Sequence, residues 1–185
     1  MELGREHKLF RKINRDSMRN PRVALVAVDA FEYIKNTEEF FDLVVMDLPD
    51  PNDYSLGKLY SKEFFVALKK RMSKYSAVVT QSTSPYFARK AFWCINKTLG
   101  SVFENVLPYK VYVPSFGLWG FNAASDMPIK ADSVKIEVET RYLCGETLPE
   151  LFKFGRDISA LDTEINAIEN QALVSLYEQS WKEWN

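Results

Sequence analysis

The segment Val44-Val45-Met46-Asp47-Leu48-Pro49-Asp50-Pro51-Asn52-Asp53 constrains the fold of this chain more than any other. Its apolar, β-branched start reads as a buried strand, and the prolines that follow can continue neither a strand nor a helix. The chain must turn here, with Asp47 and Asp50 presented at a strand's carboxyl end. In open α/β sheets ligands bind in the crevice at that end, so the two acids are the first candidates for chemistry. Taken alone they are also ordinary turn residues, because Asp-Pro and Pro-Asp pairs hydrogen-bond locally.

The flanking sequence alternates strand and helix signals. Val23-Ala24-Leu25-Val26-Ala27-Val28 has the length and β-branched content of a fully buried strand, followed by a short helix over Ala30 to Lys35. Asp29, between them, is equally suited to cap that helix. Leu43 to Met46 is the next strand. A helix is predicted from Tyr60 to Met72, with Tyr60, Phe64, Leu68 and Met72 at helical spacing, then a strand over Ser76 to Thr80. Ser84-Pro85 predicts a helix start, with Ala88, Phe92, Ile95 and Leu99 as its inward stripe. Lys110 to Val113 and Gly120 to Ala124, six residues apart, predict an antiparallel hairpin. A charged helix over Glu2 to Arg15 precedes all of this. A short strand at Val134 to Val138 and a helix from Leu161 to Trp184, docking through Ile165, Ile168, Ala172 and Leu176, complete the pattern.

The expected architecture is one α/β domain over residues 1–185, with its core in 1–125 and a C-terminal helical extension in 126–185. A chain of 185 residues, 46% of them hydrophobic, can bury one such core. Its net charge of −1 leaves no basic footprint, which argues against nucleic acid or an anionic membrane as partner. No apolar run reaches spanning length and the amino terminus lacks a signal-peptide core, so a soluble, cytoplasmic chain with no membrane segment is expected. Cys94 and Cys144, with only His7 to join them, do not make a zinc site; both read as buried free thiols.

Five ordered motifs resemble the polyamine aminopropyltransferases, the spermidine synthase family. They are Asp29-Ala30-Phe31-Glu32-Tyr33, Asp47-Leu48-Pro49-Asp50-Pro51, Leu59-Tyr60-Ser61-Lys62-Glu63-Phe64-Phe65, Gln81-Ser82-Thr83-Ser84-Pro85 and Val113-Pro114-Ser115-Phe116-Gly117-Leu118-Trp119-Gly120-Phe121. The likeness is to the bacterial branch whose longer members carry an N-terminal membrane region. It implies a methyltransferase-like (Rossmann-type) sheet and an enzyme with no prosthetic group or metal. Its co-substrate is decarboxylated S-adenosylmethionine, whose aminopropyl group passes to a diamine such as putrescine. The resemblance makes Asp47 the catalytic carboxylate and Asp50 a holder of the amine. It gives Gln81 a substrate contact, Tyr60 a pocket position, and Phe116, Trp119 and Phe121 the lining of an amine channel. Asp29 is implied to meet the adenine amino group, with Ala30 where relatives have glycine.

By the same resemblance, the sequence starts beyond the family's glycine-rich Gly-Gly-Gly-Asp-Gly turn and its ribose-binding acid. The strands that carry them lie, in the family sheet, between Val23 to Val28 and Leu43 to Met46. A sheet lacking its first strands leaves unpaired edges, so either a rearranged sheet or strand completion by a second chain, as in a homo-oligomer, is expected. Leu118 also departs from relatives of this branch, which often have an acid there. Two alternatives to aminopropyl transfer by this chain stay open. One is a truncated family member acting as a binding or assembly module. The other is a methyltransferase of related fold, for which Asp50-Pro51-Asn52-Asp53 compares with the Asn-Pro-Pro-Tyr motif of amino-methylating enzymes.

Overall fold

The structure, a computed structural model, describes residues 2–131 and 134–182. The chain divides into two compact units, residues 1–36 and 37–185. In the first, the predicted charged helix is two short ones, α1 (Glu2–Glu6) and α2 (Lys8–Ile13), neither of which buries a residue. His7 separates them in an extended conformation, and Arg15 and Asp16 follow at φ 50° and 58°. That left-handed backbone cannot continue a right-handed helix. The third helix, α3 (Ala30–Asn36), matches the prediction.

Val23 to Val28 does not form the predicted strand, and Val23, Val26 and Val28 are exposed. A β-branched run becomes a strand only by exchanging backbone hydrogen bonds with a neighbour. The sheet contains four other segments and does not include this one. Among the described residues Val23 to Val28 is thus neither in a rearranged sheet nor paired with another strand.

The second unit is built on that sheet. Its strands are β1 (Phe41–Met46), β2 (Met72–Gln81), β3 (Asn105–Val113) and β4 (Gly117–Ser125), in the order β1-β2-β4-β3. β1 and β2 are parallel, with Val45 opposite Val79 and Met46 opposite Thr80. Parallel neighbours need a crossover, and α4 (Tyr54–Gly57) and α5 (Lys62–Lys69) supply it. β3 and β4 form the predicted antiparallel hairpin, longer than expected at both ends, and β4 also pairs antiparallel with β2.

α6 (Arg89–Gly100) packs on the hairpin, and the predicted stripe Ala88, Phe92, Ile95 and Leu99 is fully buried. The helix starts later than Ser84-Pro85 suggested. Ser84 instead holds a turn, its hydroxyl accepting the N–H groups of Tyr86 and Phe87 at 3.2 Å each. The helix predicted to reach Met72 stops at Lys69, because Met72 opens β2.

The C-terminal expectations need more correction. Val134 to Val138 forms no strand. The helix predicted from Leu161 is only α7 (Ala172–Lys182), and Trp184 lies outside the described residues. Two asparagines delay the start of the helix by competing for the backbone groups that precede it. Asn170 accepts from the N–H groups of Ala167 and Ala172 and donates to the Ile165 carbonyl. Asn166, fully buried, donates to the Gly57 carbonyl and accepts from the Leu173 N–H. Of the predicted docking residues Ala172 is buried, Ile165 and Leu176 are half-buried and Ile168 is exposed, while Leu173 and Val174 supply the rest of the buried face. Cys94 is buried as expected, with burial pushing its thiol up to about 12. Cys144 is the correction, since it is exposed. Among the described residues, no helix is long and apolar enough to cross a membrane.

Candidate functional site

β1 ends at Met46, and Asp47 follows it, exposed, at the carboxyl end of the strand. Leu48 and Pro49 lead to Asp50, which is half-buried. Asp53 is consumed locally: its Oδ1 accepts from the Ser55 hydroxyl at 2.6 Å and the Leu56 N–H at 2.9 Å, capping α4. The bond from Ser55, then that from Leu56, holds its carboxyl below the usual carboxylate range. Of the acids in this turn, Asp47 and Asp50 remain for a ligand.

Gln81 closes β2, the strand beside β1, and is buried. Its side-chain amide donates to the Leu48 carbonyl at 2.8 Å and to Asp50 Oδ1 at 3.0 Å, while its carbonyl accepts from the Thr83 N–H at 2.6 Å. Thr83 sits at φ 60°, an uncommon conformation for a β-branched residue. What holds it there is the hairpin, because the Gly120 N–H donates to the Thr83 carbonyl at 2.8 Å. A Cβ at Gly120 would lie 2.8 Å from that carbonyl and 2.5 Å from the Phe92 ring, so glycine is what allows the close approach. Backbone strain of this kind clusters at functional sites.

Two phenols complete the network. Tyr60, fully buried beneath the turn, donates to the Pro49 carbonyl at 3.1 Å. Tyr177, on α7, donates to Asp50 Oδ2 at 2.9 Å. Burial above all, then the negative charges of Asp50 and Asp47, raises Tyr60 well above its ordinary range. Tyr177 is raised by burial, by the charge of Asp50 and by its bond to that carboxylate. Both phenols are thus neutral donors at any physiological pH. Among the described residues neither Asp47 nor Asp50 is in a salt bridge. Such a site suits a cation, and the exposed carboxylate can take a proton from it.

The other predicted residues fall into two groups. Phe116 and Trp119 lie in the hairpin with their rings 5.3 Å apart and tilted by 43°; Phe116 is exposed, and Phe121 stacks on Tyr109 instead. The hairpin is tied to the exit of β2 by the Ser84 hydroxyl, which donates to the Leu118 carbonyl at 2.6 Å. Asp29 and Ala30 belong to the 1–36 unit. There Asp29 caps α3, its Oδ1 accepting from the N–H groups of Phe31 at 2.9 Å and Glu32 at 3.1 Å.

The structure therefore joins Asp50, Gln81 and Tyr60 in one hydrogen-bonded network at the strand end that carries Asp47. Sequence reasoning missed Tyr177. The signal was a four-residue repeat, Leu173, Tyr177 and Trp181, but a helix drawn from Leu161 placed the docking face elsewhere.

The profile of the spermine/spermidine synthase domain matches residues 5–133. A polyamine aminopropyltransferase of Leptospira interrogans is 43% identical over 95% of this chain and 35% of its own length. One from Oceanobacillus iheyensis is 36% identical over 100% of the chain and 37% of its own length. The chain thus spans about a third of the length of these curated relatives. In structure it is similar to a spermidine synthase in complex with the transition-state analogue AdoDATO, with a TM-score of 0.66, 22% identity and coverage of 79% of this chain and 54% of that one. The spermidine synthase of Thermotoga maritima gives a TM-score of 0.63 at 19% identity over 80% of this chain and 55% of that one. The second unit's mixed sheet, with its parallel pair and terminal hairpin, is a methyltransferase-like α/β arrangement shared with these enzymes, and by its matched residues the chain belongs to the spermine/spermidine synthase domain family.

Proposed function

We propose that this chain supplies the amine side of a polyamine aminopropyltransferase, which passes the aminopropyl group of decarboxylated S-adenosylmethionine to a diamine such as putrescine. The observation that carries this reading is the pair Asp47 and Asp50 at the end of β1, the second held by neutral donors from Gln81 and Tyr177. The diamine nitrogen attacks the methylene carbon next to the sulfonium. The carbon–sulfur bond breaks, methylthioadenosine leaves with the electron pair, and the new secondary amine is spermidine. The electrophile carries its own activation, so positioning is the enzyme's main task.

A diamine is dicationic at neutral pH, and the attacking nitrogen must lose a proton. Asp47, exposed at the end of β1, takes that proton directly or through water; Asp50 holds the ammonium. Gln81 orients Asp50, Tyr60 supports the turn from below, and Phe116 and Trp119 supply aromatic faces for the cationic chain, worth about 0.5–2 kcal/mol each. Asp29 and Ala30 belong to the nucleoside side. β1 is an end strand of the four-stranded sheet and exposes Leu43 and Val45, which supports completion of the sheet by a second chain. The same exposed edge favours a second reading, an assembly module that binds polyamine without catalysis.

Incubation with decarboxylated S-adenosylmethionine and putrescine, followed by assay of released methylthioadenosine, tests the proposal. Asp47→Asn is expected to lower release by about 10²-fold or more while leaving the melting temperature in place. Equal release by Asp47→Asn would remove Asp47 from the chemistry, and putrescine binding without turnover would assign the chain to the module.

A further inference from the structure

We infer that Tyr177, on the C-terminal helix, is a positioning residue that sets the Asp50 carboxylate for the ammonium group of a diamine; the inference rests on the amine-site reading above. Tyr177 lies outside residues 5–133, where the family profile matches, and 127 positions from the acid it holds.

An ionised carboxylate has roughly four lone-pair directions over its two oxygens. In this structure each oxygen of Asp50 accepts one bond, Oδ1 from Gln81 at 3.0 Å and Oδ2 from Tyr177 at 2.9 Å. The donors come from different elements, β2 and α7, so together they fix the plane of the carboxylate while leaving acceptor capacity on both oxygens. Neither donor carries charge, so neither neutralises the acid against a cation. A carboxylate held in this way binds an ammonium without first losing its own rotamer freedom.

The helix that carries Tyr177 is itself firmly placed. Ala172, Leu173 and Val174 are buried, and Val174 lies so close to Gly57 that a Cβ there would meet it at 2.6 Å. Asn166 locks the lead-in through the Gly57 carbonyl at 3.0 Å and the Leu173 N–H at 3.1 Å. Beyond Tyr177, Trp181 stacks on Phe87 at 5.9 Å and 12°, and Tyr177 meets Trp181 edge-on at 6.1 Å. The phenol is thereby held between the core and an aromatic cluster, with only its hydroxyl directed at Asp50.

The test is a double-mutant cycle on putrescine affinity, read by calorimetry on the full chain as wild type, Tyr177→Phe, Asp50→Asn and the double variant. Tyr177→Phe removes one oxygen and keeps the ring, so the melting temperature monitors the packing separately. The expected result is about tenfold weaker binding for Tyr177→Phe, the scale of one hydrogen bond to a charged group, and no further loss when it is added to Asp50→Asn. Unchanged affinity in Tyr177→Phe would overturn the inference and leave the amine site standing. The same loss in the Asp50→Asn background would overturn it too, because Tyr177 would then act independently of Asp50. If wild type does not bind putrescine, the amine-site reading itself fails and takes this inference with it.

Discussion

Gln81 and Asp50 are joined by a 3.0 Å hydrogen bond that links the end of β2 to the turn leaving β1. The same amide group reaches the Leu48 carbonyl, and the Gln81 side-chain carbonyl accepts from the Thr83 N–H, so one buried side chain ties two backbone groups and one carboxylate together. Gln81→Leu keeps the volume and removes every one of these bonds. Unsatisfied buried groups cost about 1–3 kcal/mol each, so an overall loss of about 2 kcal/mol is expected in urea denaturation. A variant as stable as wild type would show that water or a local shift replaces the network.

The hairpin's hold on that turn is tested by Gly120→Ala. Its methyl group would meet the Phe92 ring at 2.5 Å and the Thr83 carbonyl at 2.8 Å, one of them backbone. Overpacking of this kind costs about 1–3 kcal/mol. Because Thr83 is bonded to Gln81, diamine affinity should fall together with stability. A neutral Gly120→Ala would mean that the Thr83 turn gives way freely.

The two phenols of the network give a signed pH dependence. Tyr60 and Tyr177 are both raised above the ordinary tyrosine value of 10.0, chiefly by burial. The unfolded chain therefore releases these protons at a lower pH than the folded one, and stability they contribute is complete below pH 10 and lost as pH rises above it. Ultraviolet titration of the 9 tyrosines should show Tyr60, Tyr109 and Tyr177 ionising at higher pH than the others, with one fewer in that late group in Tyr60→Phe. Simultaneous ionisation of all nine in the folded protein would contradict the buried network.

The two thiols should differ sharply. Cys144 is exposed, and its bonds with Thr147, through side chain first and backbone second, lower its thiol below the ordinary value. Cys94 is buried and pushed up to about 12. Iodoacetamide at pH 8 is expected to modify Cys144 in the native protein and Cys94 only after unfolding, as mass spectrometry of digests would show. Native modification of Cys94 would mean that α6 opens far more readily than its packing suggests.

How much of this could be read from the chain differs by segment, for physical reasons. The turn around Asp47 and Asp50 was legible because proline forbids both regular structures, whatever surrounds it. The α6 stripe and the hairpin were legible because their periodicity is local. Val23 to Val28 was not, since a strand is an agreement with a neighbour and the sheet does not provide one here. The stretch before α7 looked helical by spacing, but Asn166 and Asn170 spend its backbone groups on side-chain bonds. Tyr177 escaped notice because its role is created only when α7 folds back on a turn far away in sequence.

Calorimetric titration of the chain with putrescine reads a diamine site at Asp47 and Asp50 most directly. One-site binding by wild type is expected, abolished in the double variant Asp47→Asn, Asp50→Asn, with the melting curve of the variant still cooperative. Equal binding by wild type and the double variant, or no binding by wild type, would contradict it.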